Sequence, residues 1–233
     1  MKMMYRLTSV LVFGFAIAAW SQQITPPPTA PADSGPTLAA TMQFIQEKLS
    51  EQGKVGWVET FSNQPGFIYR WFYNLADVMA DPAACTLYNT EITEETVDFP
   101  KGKNLVIGGK PITADDIRTH TVRTATTPFK QVEKIIVVKR QEAVNLIYAA
   151  SAHGEIAVTV TPPVFYVTMM ASSTVFSAHT STTKGNQAPV EIDATNKINS
   201  YTFRDEDTAN RVAKAMTHAM ELCGGGVTKK EIF

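Results

Sequence analysis

DEDTANRVAKAMTHAMELC, residues 205–223, with Gly224-Gly225-Gly226 behind it, is the stretch whose reading decides the fold. Asp205, Glu206 and Asp207 place three carboxylates where a helix N-terminus has unpaired N–H groups and partial positive charge. Ala209, Val212, Ala213, Met216, Ala219, Met220 and Cys223 then recur at helical spacing and make one apolar stripe. Arg211, Lys214, Thr217, His218 and Glu221 fall largely on the other side, and the glycine run supplies a left-handed stop. Burying Val212, Met216, Met220 and Cys223 contributes about 5–10 kcal/mol before entropy is charged. A stripe this narrow and this rich in small residues needs a surface to lie on, so the helix is expected to be a lid on something else.

That something is expected to be a sheet. Residues 54–180 carry mainly β signals. Val55, Trp57, Glu59 and Phe61 alternate with Gly56, Val58 and Thr60, and a long aromatic strand follows over 67–79. Its Phe67, Tyr69, Trp71, Tyr73 and Leu75 share one face, and Asn63-Gln64-Pro65-Gly66 turns the two strands into a hairpin. Asp81-Pro82 breaks the chain before a third strand over 85–92. Further strands are expected over 117–124, 132–139, 143–150, 155–161, 164–171 and 174–179; their β-branched and aromatic content favours strand over helix, although a helix over 140–152 is an alternative. Residues 179–196 read as a polar loop, and 197–203 as a last strand feeding the terminal helix. Ahead of the sheet, Leu38, Met42, Ile45 and Leu49 mark a first helix over 37–52, capped by Ser34 or Thr37 and closed by Gly53.

The ends have their own composition. Lys2 and Arg6, the apolar run from Leu7 to Ala19 and the small-x-small Ala19-Trp20-Ser21 read as a signal peptide over 1–21. The apolar run is shorter than the roughly 20 residues that a membrane-spanning helix needs. The mature chain is therefore expected to have no transmembrane segment and to be periplasmic or secreted. Residues 22–36 form a Pro-rich, disordered linker, 37–226 a single α+β domain, and 227–233 a C-terminal tail. Loss of Lys2 and Arg6 moves the formal charge from −1 to −3. A mildly acidic chain presents no global attraction to nucleic acid.

One helix, many antiparallel strands and a final helix predict an α+β fold: a bent antiparallel sheet or open barrel capped by the C-terminal helix. A bent sheet closed by one amphipathic C-terminal helix resembles the pleckstrin-homology-like superfold. The tail DEDTANRVAKAMTHAMELCGG and the segment WFYNLADVMADPAACTLYN also resemble uncharacterised secreted bacterial proteins. The resemblance implies the fold, not a ligand. The last helix carries no tryptophan, and the turn Asn63-Gln64-Pro65-Gly66 lacks the Lys/Arg cluster of phosphoinositide binders.

Cys85 and Cys223 are the only two cysteines. In an exported chain they are candidates for a disulfide stapling helix to sheet, with two separate buried thiols as the alternative. A CxxC pair is absent, and two cysteines without a histidine at ligand spacing do not make a zinc site.

Catalytic and cofactor signatures are not found. His120, His153, His179 and His218 are scattered without HExxH or His-x-His, so no metal or cofactor is expected. Ser177 lies two residues from His179, but no GxSxG or SxxK frames a nucleophile. Gly108-Gly109-Lys110 lacks the rest of a phosphate loop, and neighbours within Glu94-Glu95 and Asp115-Asp116 point to opposite faces of a strand. The reading is a non-enzymatic exported domain that binds a protein partner or a small apolar ligand, with Phe67, Tyr69, Trp71 and Tyr73 as the candidate binding surface. Two alternatives stand beside it: a secreted hydrolase using His120 or His179 with a serine, and a structural module of a cell-envelope assembly.

Overall fold

The structure, a computed structural model, describes residues 35–100, 105–107, 110–112, 117–150 and 157–226. The expected signal peptide, most of the Pro-rich linker, Gly108-Gly109, Asp115-Asp116, His153 and the tail 227–233 lie outside the described residues.

Helix α1 spans Leu38–Glu51, with Thr37 Oγ1 accepting from the Ala40 N–H at 3.3 Å as its cap. The strands follow as β1 Val55–Phe61, β2 Ile68–Asp81, β3 Thr86–Asp98, β4 Leu105–Ile107, β5 Lys110–Ile112 and β6 Thr119–Pro128. After a short 3-10 turn, Phe129–Gln131, come β7 Lys134–Lys139 and helix α2 Arg140–Ala150. The chain ends with β8 Val158–Thr161, β9 Phe165–Met170, β10 Phe176–Lys184, β11 Val190–Asn196, β12 Ile198–Phe203 and helix α3 Glu206–Leu222.

The class is α+β. A bent antiparallel sheet of seven strands runs in the order β11-β10-β6-β3-β2-β1-β8, and a second sheet has the order β12-β9-β7. Strands β4 and β5 make a separate hairpin. No barrel closes. The strand favoured over 143–150 is not formed: those residues belong to helix α2, Arg140–Ala150, so the helical alternative holds as far as Ala150, and residues 151–152 lie outside the described residues. The polar loop expected over 179–196 is instead a hairpin, because β10 continues to Lys184 and β11 returns against it from Val190 to Asn196.

The terminal helix sits as its stripe requires. Asp205 accepts from the Thr208 N–H at 2.7 Å, and Ala209, Val212, Ala213, Met216, Ala219 and Met220 are all buried. They join a core with Met42, Ile45 and Leu49 of α1, Leu87 of β3, Phe129, Val167, Met169, Tyr201 and Phe203. Arg211 lies over the Phe44 ring at 5.7 Å, tying α3 to α1. Cys85 and Cys223 are bridged across 138 residues, fixing the end of α3 to the turn that opens β3.

Candidate functional site

Pleating sorts the residues of the seven-stranded sheet onto two faces, since residues directly opposite in register share a face. On β1 the inner positions are Val55, Trp57, Glu59 and Phe61, and the register pairs Val55 with Tyr73, Trp57 with Trp71 and Glu59 with Tyr69. On β3, Glu95 lies opposite Trp71 and Val97 opposite Tyr69. An acidic residue has therefore been placed at a core-facing position, and Glu59 is only 2% exposed.

A buried carboxylate is tolerated when it is paired and hydrogen-bonded. Glu59 has both. Its Oε1 accepts from the Trp57 indole N–H at 2.8 Å and from Nε of Arg140, the first residue of α2. Nη1 of Arg140 donates to the Tyr166 hydroxyl of β9. The guanidinium also lies 5.2 Å from the Trp57 ring, 5.3 Å from Trp71 and 5.5 Å from Tyr166. Trp57 and Trp71 are stacked, with centroids 6.0 Å apart and planes 5° from parallel. Burial alone would lower the pKa of Arg140, but the bond to Glu59, with Tyr166 adding to it, holds it above its ordinary value. Burial likewise pushes the Tyr166 hydroxyl up, against the pull of Arg140.

This assembly is the floor of a cleft of about 310 Å³, lined by Glu59, Phe61, Asn63, Gln64, Tyr69, Trp71, Glu95, Arg140 and Val144. Phe61 meets Tyr69 edge to face at 5.0 Å, and the Tyr69 hydroxyl donates to Gln64 Oε1 at 2.5 Å. Trp71 and Tyr69 are half-buried. The Trp71 indole N–H is buried with no hydrogen-bond partner among the described residues. Glu95 is pushed up by its own burial and then by the charge of Glu59, against weaker pulls from Lys184 and Arg140.

The four aromatic residues expected to form a surface separate here. Tyr69 and Trp71 line the cleft, whereas Tyr73 is 3% exposed and belongs to the core. Phe67 precedes β2, packs edge to face on Phe99 at 5.7 Å and does not line the cleft. The sequence reading missed Glu59, Arg140, Tyr166 and Glu95 as site residues. The available signal was Glu59 itself, an acid sharing strand parity with Val55, Trp57 and Phe61.

The histidines sit elsewhere. His120 and His179 lie on the outer face, 45% and 55% exposed at their side chains. His179 Nδ1 is 2.8 Å from Asp193 and Nε2 is 3.2 Å from Glu191, so both ring nitrogens face carboxylates rather than Ser177. His218 Nε2 meets the Pro36 carbonyl at 2.9 Å. Among the described residues, no three His, Cys, Asp or Glu side chains are grouped to hold a metal ion. No helix among them is long and apolar enough to cross a membrane. No protein-family model matches the chain, and neither a curated protein nor a solved structure matches it at a significant level.

Proposed function

We propose that this chain is an exported, non-enzymatic binding module that holds a small ligand with an apolar, planar body in the cleft over Trp71. The observation that carries the reading is the way the cleft floor is fixed. Arg140 is held by Glu59 and Tyr166 and flanked by Trp57 and Trp71, while Trp71 and Tyr69 remain half-buried above it. Pockets for small ligands are concave, mostly apolar and largely pre-formed, with a few convergent polar groups. This cleft is concave and mixed, with Phe61, Tyr69, Trp71 and Val144 set among Glu59, Asn63, Gln64, Glu95 and Arg140, and its aromatic walls cost little entropy on binding because their neighbours already fix them.

Two further observations support the reading. The unpartnered indole N–H of Trp71 is a donor whose unmade bond costs about 1–3 kcal/mol, so an acceptor reaching it would be favoured. The Cys85–Cys223 bridge suits an oxidising, extracytoplasmic compartment. The hydrolase reading has less to rest on, since His179 turns its nitrogens to Asp193 and Glu191 and no hydrogen bond joins it to Ser177.

Native mass spectrometry of the unreduced protein, isolated from its exporting host, tests the proposal together with a titration of benzyl alcohol followed at the Trp71 indole N–H by nuclear magnetic resonance. A captured mass that leaves on denaturation, or a saturable millimolar shift at Trp71 that Trp71→Ala abolishes for the neighbouring Tyr69 signals, is the expected result. A bare protein whose Trp71 and Tyr69 resonances do not respond would overturn it.

A further inference from the structure

The charges in the cleft do not balance. Glu59 is matched by Arg140, and its Oε1 also takes the Trp57 indole proton. Glu95 stands on the same inner face, directly opposite Trp71 in the strand register, and lines the same cleft. Among the described residues its carboxylate makes no ion pair and no hydrogen bond. Lys184 occupies the same cross-strand row, but Thr119 lies between them, so it acts on Glu95 only at a distance. The lining thus carries two carboxylates and one guanidinium, with the surplus negative charge on Glu95 beside an indole ring.

Resting on the small-ligand reading of this cleft, we infer that the ligand is an organic ammonium, a protonated amine carried on an apolar body, with Glu95 as its counter-charge. The alternatives are separated by charge. An anionic ligand would add repulsion from Glu95 while finding Arg140 already committed to Glu59 and Tyr166. A neutral ligand would leave Glu95 as desolvated as it is now and would gain only area. An ammonium group removes that cost, and the negative face of the Trp71 ring adds a cation–π contribution to the same charge. The upward displacement of the Glu95 carboxyl by burial and by Glu59 agrees with a site whose counter-ion is still to arrive. The aromatic walls hold the carbon body, and the single unmatched carboxylate sets the position of the nitrogen.

Three probes with one ring and one carbon arm make the test: benzylamine, benzyl alcohol and benzoate, titrated near neutral pH and followed at the Trp71 and Tyr69 resonances. The expected order is benzylamine about two- to fivefold tighter than benzyl alcohol, the scale of one partly screened carboxylate–ammonium pair, with benzoate weakest. In Glu95→Gln the benzylamine to benzyl alcohol ratio should fall to about one. Lys184→Gln, which removes the distant cation, should raise that ratio modestly. Equal binding of all three probes, or a ratio unchanged in Glu95→Gln, overturns the ammonium assignment and leaves the small-ligand reading standing. No response to any probe from a folded protein overturns both, and tightest binding of benzoate reverses the sign of the inference.

Discussion

Glu59 and Arg140, 81 residues apart, share one hydrogen-bonded ion pair whose carboxylate is also bound by Trp57. The pair joins α2 to the seven-stranded sheet and reaches β9 through Tyr166. Removing one member of a buried pair strands the other charge, whereas removing both leaves a site that can repack. Arg140 retains 18% side-chain exposure, so some water can reach Glu59 once it is gone. Arg140→Met is expected to destabilise the fold by about 2–4 kcal/mol. The double variant Glu59→Leu/Arg140→Met should lose clearly less than the two single changes added together. Urea unfolding of the four proteins gives the coupling directly; additive losses would show that the pair is not the unit described.

The Cys85–Cys223 bridge closes a loop of 138 residues. In the chain-entropy description such a loop is worth about 5 kcal/mol, and observed values commonly run nearer 2–4 kcal/mol. Cys85→Ser/Cys223→Ser, or the reduced wild type, should unfold at correspondingly lower urea concentration, with reduction adding the mass of two hydrogens. The loss should be felt first by α3, because the bridge anchors its last turn to the turn before β3. An unreduced protein whose mass does not change with reductant would contradict the pairing.

The elements that were legible in sequence are those whose signal is burial on one face. The α3 stripe from Ala209 to Met220 is wholly buried, and its caps lie where the local chemistry places them. The same holds for Met42, Ile45 and Leu49 of α1 and for the alternation in β1. Strands β10 and β11 were not legible as a hairpin because little of either is covered. From Thr180 onward neither face of β10 is buried, and β11 is exposed almost throughout. Val190, Ile192 and Ala194 do alternate with Glu191, Asp193 and Thr195, but Val190 and Ile192 are exposed rather than covered, so the pairing rests on the backbone ladder and on contacts such as Ser181 to Glu191 at 2.7 Å. The site was half legible. Tyr69 and Trp71 follow from strand parity, but Arg140 enters through a closure of 81 residues that no local pattern records. Glu95 was discounted as one of an adjacent pair pointing in opposite directions, which is correct, yet its partner is across the sheet at Trp71.

Adjacent glycines behind α3 serve different needs. Gly224 has φ 76° with open space where a Cβ would stand, so alanine there meets only backbone strain, about 1 kcal/mol. At Gly225 a Cβ would approach the Phe129 carbonyl oxygen to 2.6 Å and both Met220 Cγ and the Val132 carbonyl oxygen to 3.0 Å. Two of those atoms are backbone and cannot rotate away. Gly225→Ala is therefore expected to cost about 2–3 kcal/mol, more than Gly224→Ala, in thermal or urea melts. Equal losses at the two positions would mean that α3 does not end as tightly against Phe129 and Val132 as described.

On the outer face, the hydrogen bond to Asp193 raises the pKa of His179 above its ordinary value, with Glu191 adding to it. A histidine with a raised folded pKa lends its stabilisation below the unfolded value near 6.5 and loses it as pH rises through the folded value. A magnetic resonance titration should find the His179 midpoint above 6.5, moving down in Asp193→Asn. An imidazole so held is a poor base toward Ser177, so a fluorophosphonate should leave Ser177 unlabelled. Stoichiometric labelling of Ser177 that His179→Ala abolishes would revive the hydrolase reading.

Glu95 gives the last prediction, this time in the absence of any ligand. Burial and Glu59 raise its carboxyl, so the folded state binds its proton more tightly than the unfolded state does. Stability therefore falls as pH rises from the unfolded carboxylate value near 4.5 through the folded one, because the folded chain must ionise a group that water no longer fully solvates. Glu91 is raised mainly by burial, with Arg123 pulling the other way, and contributes in the same direction. Glu95→Gln keeps the shape and removes the charge. It should be more stable than wild type at neutral pH by a few tenths to about 1 kcal/mol, a figure held down by the half-exposure of the site. That advantage should close as pH is lowered past 4.5, where both proteins carry a neutral side chain at position 95. Urea melts of the two proteins at several pH values read the difference directly. An advantage that persists unchanged into acid would have to come from packing rather than charge, and Glu95 would then not be the unmatched carboxylate of the cleft.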